Sequence, residues 1–281
     1  MKHVSSAEEF RRWSARAKGN GESIALVPTM GYLHEGHLSL LRLARTHGDR
    51  VAASIFVNPT QFGPGEDLDR YPRDLSGDFE KLAASGCEIV FTPHPEDVYP
   101  DGFSTYVVPE GLGDGLCGAS RPGHFRGVAT VVAILLRISL ADVLVLGEKD
   151  YQQLQIIKRM IRDLWLDVRV IPGPIVRESD GLAMSSRNAY LSPSERQLAL
   201  AIPRALDRVA TQFARGDRSV PSLVRTARGT AEEVAVELEY VEIVDAESLQ
   251  PQSVIQRDAV IAVAARVGST RLIDNRLLSI R

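Results

Sequence analysis

The chain has 281 residues, 44% hydrophobic and 25% charged, with a net charge of −3. That length suggests about two domains with a core that needs no staples, and the balance lacks the basic field that nucleic acid demands. Cys87 and Cys117 lie far apart with no CxxC spacing, which argues against a zinc site or a disulfide framework and for two reduced thiols in a cytosolic protein.

The opening MKHVSSAEEFRRW has no apolar stretch of the kind a secretory signal needs. The most apolar segment, 128–136, is about half the ~20 residues that span a bilayer and reads as a buried helix. A cytoplasmic protein is expected. Ser5 or Ser6 caps a first helix over 7–17, with Glu8 and Glu9 in its first turn. IALV at 24–27 reads as a short buried strand, which Pro28 stops because it has no N–H to donate. A turn through Thr29, Met30 and Gly31 leads to a helix over 36–46, with Leu38, Leu40, Leu41, Leu43 and Ala44 on its buried face.

Next come a strand over 51–57, a loop over 58–73, a helix over 74–85 and a strand over 88–91. Residues 94–126, with five glycines between 111 and 123, read as a mobile loop or lid. An apolar helix over 127–139, a strand over 142–146, an amphipathic helix over 151–164 and a strand over 167–171 continue the alternation. Strands alternating with helices indicate a parallel sheet with right-handed crossovers. A polar loop over 177–191 precedes one long helix over 193–214, a second over 221–237, and strands over 240–244, 259–267 and 270–274. The expected fold class is α/β: a parallel-sheet domain over 1–175 and a smaller α+β domain over 176–281.

His34-Glu35-Gly36-His37 places two imidazoles where a strand ends and a helix begins, the edge at which open α/β sheets bind ligands and unpaired helix N–H groups attract anions. Alone, HxGH reads more often as a surface or core accident; its strand–turn–helix setting gives it specificity. It is not the metalloprotease motif, whose second His comes four residues after the first. Residues 113–118 match GxGxxG, but no helix packed on a strand follows, so they read as a loop. No Walker loop occurs, so any nucleotide is held without one.

Gly147-Glu148-Lys149-Asp150 follows another buried strand, where a lysine can neutralise phosphate or merely sit exposed. Met184-Ser185-Ser186-Arg187 joins two hydroxyls and a guanidinium, suited to phosphate contact or to a polar turn. Gln61 and Gln153 are amides at sheet edges that can read a hydroxy acid by donating and accepting. Arg121 and Arg126 could close positive charge over an anion or remain solvated.

In combination, PTMGYLHEGH (28–37), FVNPTQFGPGEDLDRYPRD (56–74), RPGHFRGVATVV (121–132), GEKDYQQL (147–154) and DGLAMSSRNAYL (180–191) resemble the pantoate–β-alanine ligases. The resemblance runs in order through roughly 24–196, with Tyr32 where a small residue is expected. It implies a Rossmann-like N-terminal domain of the HxGH nucleotidylyltransferase superfamily, and a C-terminal domain contributing a lid loop over the nucleotide.

The resemblance implies that ATP meets Met30, Gly31, Tyr32, Leu33, His34, Glu35, Gly36 and His37 on one side and Met184, Ser185, Ser186 and Arg187 on the other. Gly147, Glu148, Lys149, Asp150 and Val176 would complete the nucleotide site. His34, His37, Lys149 and Arg187 would be catalytic, Gln61 would contact pantoate and β-alanine, and Gln153 pantoate. Asn58 and Arg121 are assigned to the same substrate site.

The implied reaction condenses pantoate with β-alanine through pantoyl adenylate, releasing AMP and diphosphate, in a cytoplasmic homodimer of coenzyme A biosynthesis. Mg²⁺ would accompany ATP; no protein ligand is assigned to it, with Asp78 and Asp150 the carboxylates that could meet it. No nucleic-acid or membrane partner is expected. Two rivals share the motif logic: a nucleotidylyltransferase that releases its adenylylated product, and a non-catalytic adenine-nucleotide sensor.

Overall fold

A computed structural model describes residues 1–280. In chain order, β1 (Lys2–Val4), α1 (Ala7–Gly19), β2 (Ile24–Thr29), α2 (Glu35–Ala44), β3 (Arg50–Ile55), α3 (Leu75–Ala84) and β4 (Ile89–Phe91) come first. Two single-turn helices, α4 (Pro95–Val98) and α5 (Cys117–Ser120), the second in the glycine-rich stretch, lie in the expected loop over 94–126, before α6 (His124–Ser139), β5 (Val143–Gly147), α7 (Tyr151–Asp163) and β6 (Arg169–Gly173). Contacts divide the chain into two compact units: 1–110, 121–148 and 156–174 form one, and 111–120, 149–155 and 175–281 the other. The segments 111–120 and 149–155 thus group with the later part of the chain, which a single cut near 175 does not anticipate.

The first unit is an all-parallel sheet in the order β1-β4-β3-β2-β5-β6. Ile24, Ala25, Leu26 and Val27 are fully buried, as an unbroken apolar run is when helices cover both faces of a sheet. From β2 the chain moves outward to β3, then crosses back to start β5 on the other side of β2. That reversal opens a crevice at the carboxyl ends of β2 and β5, the place where such sheets bind ligands.

Pro28 does not end β2. The ladder to β3 continues through Thr29, while the ladder to β5 pairs only Ala25 and Leu26. Thr29 C=O accepts from Phe56 N–H, so Thr29 faces β3 and its neighbour Pro28 faces the other way, where its missing N–H ends only the β5 side. β1 was not expected at all: three residues at a sheet edge are too few to show a period. α6 begins three residues earlier than expected, after Gly123 with φ +82°.

The second unit carries α8 (Pro193–Ala199), α9 (Ala201–Ala214), α10 (Val220–Glu232) and the antiparallel strands β7 (Glu237–Asp245), β8 (Ala259–Val267) and β9 (Thr270–Leu278). The helices and sheet share a core that includes Ile202, Leu206, Leu223, Ile261 and Val263. The single helix expected over 193–214 is broken at Leu200, because Pro203 cannot donate to the carbonyl of Ala199 and its ring crowds that carbonyl.

Candidate active site

The turn after β2 is held by side chains from β2 itself and from α3. Thr29 Oγ1 accepts from Gly31 N–H at 3.2 Å and donates to Ser54 C=O at 2.8 Å. Gly31 and Tyr32 both have positive φ, +85° and +50°. A Cβ on Gly31 would stand 3.0 Å from Asp78 Oδ2 and 3.0 Å from Ile55, so only glycine fits. Asp78, on α3 and 1% exposed, accepts from Tyr32 N–H at 2.7 Å and Leu33 N–H at 2.6 Å. One turn along α3, Lys81 donates to Leu33 C=O at 2.9 Å.

This braced turn delivers His34 to the N-cap of α2. His34 Nδ1 accepts from Gly36 N–H at 3.2 Å, and His37 Nδ1 accepts from His34 N–H at 3.3 Å. The two rings lie 4.1 Å apart between centroids. A ring nitrogen that accepts from a backbone N–H carries no proton, so each neutral imidazole bears its proton on Nε2. Both histidines therefore act as donors through Nε2, at a helix end whose own N–H groups favour anions. Glu35, in the first turn of α2, is exposed and ion-paired with Arg42.

Gln61 ends a short 3₁₀ turn, Pro59–Gln61, capped by Asn58. Its Nε2 donates to Met30 Sδ at 3.1 Å, which ties the turn to the segment before HxGH. Asn58 is 1% exposed and donates to Gln61 Oε1 at 3.0 Å and to Gly127 C=O at 3.2 Å. A Cβ on Gly127 would fall 2.4 Å from Thr60 O and 2.7 Å from Gln61 N, so glycine lets α6 approach this turn. Arg121 is not an open cation: it forms a two-point ion pair with Glu66, at 2.8 and 2.5 Å, and donates to Gln61 C=O at 3.2 Å. His124 Nδ1 donates to the same carbonyl at 2.8 Å. Burial raises the Glu66 pKa, but the hydrogen bond and charge of Arg121 outweigh it and hold the carboxyl below its ordinary value.

The remaining expected site residues, apart from Gly147 at the end of β5 and Glu148 just after it, belong to the second unit. Lys149 lies in the 3₁₀ turn Glu148–Asp150; its carbonyl accepts from Asn275 at 2.8 Å, and its half-buried ammonium has no ion-pair partner among the described residues. Asp150 is exposed. Gln153 is half-buried, and its side-chain amide makes no hydrogen bond among the described residues. Its neighbour Gln152 is buried instead and secures the glycine-rich segment, donating to Leu112 and Gly115 carbonyls and accepting from Cys117 N–H. Val176 C=O accepts from Met184 N–H at 3.0 Å, and Ser185 caps the 3₁₀ turn Ser186–Tyr190 that carries Arg187. Arg177 to Asp274 and Arg196 to Glu178 and Asp180 brace this segment by ion pairs.

Asp78 does not fit a Mg²⁺ ligand, because both its oxygens are occupied by backbone N–H groups. Among the described residues no three His, Cys, Asp or Glu side chains gather as a metal site. No helix among them is long and apolar enough to cross a membrane.

The pantoate–β-alanine ligase family profile matches residues 2–277. The chain belongs to that family. It is 50% identical over 281 residues to the pantothenate synthetase of Pelobacter propionicus, covering 100% of this chain and 99% of that one. Among solved structures it is similar to pantothenate synthetase from Thermus thermophilus, at 45% identity and TM-score 0.95 over 100% of both chains. It also resembles the Francisella tularensis pantoate–β-alanine ligase complexed with β-γ ATP and β-alanine, at 34% identity and TM-score 0.80, covering 99% of this chain and 97% of that one. As a member of the pantoate–β-alanine ligases it is a pantothenate-forming ligase. The sequence motifs include HxGH and Gln61; Asp78 and Lys81 lie outside them, and Gly127 and Gln152 lie within them but show their roles only through their contacts.

Proposed function

We propose that this ligase takes ATP, (R)-pantoate and β-alanine, and joins the two acids through pantoyl adenylate. A carboxylate is a poor acylating agent, since its leaving group would be oxide. A pantoate carboxylate oxygen attacks the α-phosphorus of ATP; the bond to the bridging oxygen breaks and diphosphate leaves. The β-alanine amine then attacks the acyl carbon, loses a proton, and AMP departs as the amide forms.

The observation that carries this reading is the pair of Nε2–H donors set at the N-terminus of α2 by Nδ1 hydrogen bonds. The first step gathers charge on phosphoryl oxygens, where preorganised donors contribute most. His34 and His37 serve those oxygens, each as a hydrogen-bond donor through Nε2–H. Lys149 and Arg187 neutralise developing charge, Met30 and the turn 31–36 bound the nucleotide together with residues 147–150, Val176 and 184–186, and Gln61 and Gln153 read pantoate. Mg²⁺, when present, travels with the phosphates of ATP. The division near 175, a lid formed by 180–190, and a cytoplasmic homodimer belong to the same proposal and rest on the family likeness.

Incubation of the protein with ATP, Mg²⁺ and pantoate, with and without β-alanine, tests the reaction. Pantoate-dependent diphosphate release, with AMP appearing in quantity only when β-alanine is added, supports it. Diphosphate release with no AMP on addition of β-alanine would indicate a nucleotidylyltransferase, and no release at all a nucleotide-binding protein without turnover.

A further inference from the structure

The hydrogen bonds around Asn58 fix the direction in which Gln61 can be read. Thr60 backbone N–H lies 3.3 Å from Asn58 Oδ1, and a backbone N–H can only donate, so that atom is the oxygen. Gly127 C=O, which can only accept, lies 3.2 Å from Nδ2 and confirms the other end. The Gln61 atom 3.0 Å from Nδ2 must then be an acceptor, Oε1. Gln61 is left to point its NH₂ away from Asn58; one hydrogen goes to Met30 Sδ and the second is available to a ligand.

Asn58 itself has nothing left to offer. Its oxygen accepts from Thr60 N–H, from Thr60 Oγ1 at 2.9 Å and from the Tyr99 hydroxyl at 2.8 Å, and both Nδ2 hydrogens are engaged. With 1% exposure it reaches no substrate. Tyr99 stands behind it, its hydroxyl oxygen 3.1 Å from Thr60 Oγ1 and its ring packed edge-on against Phe103 at 5.0 Å between centroids.

We propose that Asn58, backed by Tyr99, is a positioning residue that makes Gln61 a donor-only reader of the hydroxy acid. This rests on the pantoate reading above and sharpens it: Gln61 selects an oxygen acceptor, a hydroxyl or carboxylate, on the acid to be activated. A substrate with an ammonium at that point would bring a donor against a donor, so the same amide discriminates hydroxy acids from amino acids of similar shape. Sequence alone leaves the amide able to face either way; the fixed polarity comes from a backbone N–H and a backbone C=O far apart in the chain.

The test is a coupling measurement on kcat/KM for pantoate and for ATP, followed by diphosphate release. Asn58→Asp removes the N–H that holds Gln61 and should lower kcat/KM for pantoate by about 10- to 100-fold, the scale of a donor or acceptor left unsatisfied. Tyr99→Phe keeps the ring and its packing, so it also serves if the first variant folds poorly; it should lower the same ratio about threefold, one neutral hydrogen bond among several. In both, kcat/KM for ATP should stay within about twofold of wild type. In a Gln61→Ala background neither substitution should cause a further loss beyond about twofold, since both act through Gln61. Equal losses with and without Gln61, or equal losses for ATP and pantoate, would overturn the proposal. Pantoate turnover by the wild-type protein is the separate test of the underlying function.

Discussion

The buried carboxylate of Asp78 holds Tyr32, a bulky residue at φ +50°, in a left-handed conformation by accepting its N–H at 2.7 Å and that of Leu33 at 2.6 Å. A non-glycine residue reaches this region at a cost of roughly 1 kcal/mol or more, and it persists when surrounding groups over-determine it. The brace thereby sets where α2 starts and where His34 and His37 stand. Asp78→Asn offers one acceptor and one donor to two N–H groups. It should lower the rate of pantoate-dependent diphosphate release by about 10- to 100-fold, given an unsatisfied buried group of ~1–3 kcal/mol. Adding Tyr32→Gly should recover part of that loss by relieving the backbone cost. A double variant as slow as Asp78→Asn alone would separate the brace from the conformation of Tyr32.

Gly127→Ala tests the close approach of α6 to the Gln61 turn. The new methyl would overlap Thr60 O, so the turn or the helix must shift. Overpacking of this kind costs about 1–3 kcal/mol in stability. The same shift should lower kcat/KM for pantoate by at least about tenfold, because small misplacements of a substrate-positioning group are costly. Denaturation midpoints and pantoate kinetics matching wild type would contradict the packing argument.

Much of this was legible in the sequence, for reasons that differ by residue. Ile24 to Val27 announced a strand buried on both faces because the run has no polar break, and HxGH announced the start of a helix because the apolar residues 38–44 follow it. Pro28 misled, since a proline interrupts pairing on only one side of a strand, and the side depends on a neighbour's register. Pro203 was missed as the break between α8 and α9. The bracing roles of Asp78 and Lys81 were illegible: they act on backbone groups more than forty positions away, and no local pattern records that. Gln152 and Gln153 are adjacent and chemically identical, and only burial separates the amide that secures residues 112–117 from its half-buried neighbour.

Acid should loosen the Gln61 region through Glu66. Arg121 holds the Glu66 carboxyl below its ordinary value of 4.5, against the opposing effect of burial. A carboxyl with a depressed folded-state pKa stabilises the fold fully above that ordinary value and loses the contribution as pH falls through the lowered one. Wild type should therefore exceed Glu66→Gln in stability at pH 7, by about 1–3 kcal/mol for a charge-assisted hydrogen bond, and the difference should close as pH falls below 4.5. Urea midpoints of both proteins across that range check the sign; a gap that widens in acid would contradict it.

Cys87 should be inert in the folded protein. Burial pushes its thiol up to about 12, and its Sγ lies 3.2 Å from Ile89 C=O. The thiolate is the reactive form, so at pH 8 roughly one molecule in ten thousand is poised to react. Iodoacetamide at pH 8 should leave Cys87 unmodified over an hour, as read by peptide mass analysis, and label it after unfolding. Rapid labelling of the native protein would show that the environment of Cys87, just before β4, is open.

The central claim is that donors at the start of α2, with Lys149, stabilise charge on ATP during adenylation of pantoate. Rapid-quench measurement of diphosphate release by His37→Ala and Lys149→Ala tests it most directly, with pantoyl adenylate and β-alanine supplied separately to the same variants. Each variant should release diphosphate at least ~100-fold more slowly than wild type, the scale of one lost preorganised donor, while converting supplied pantoyl adenylate to pantothenate at close to the wild-type rate. Near-normal pantoate-dependent diphosphate release in either variant would contradict the account.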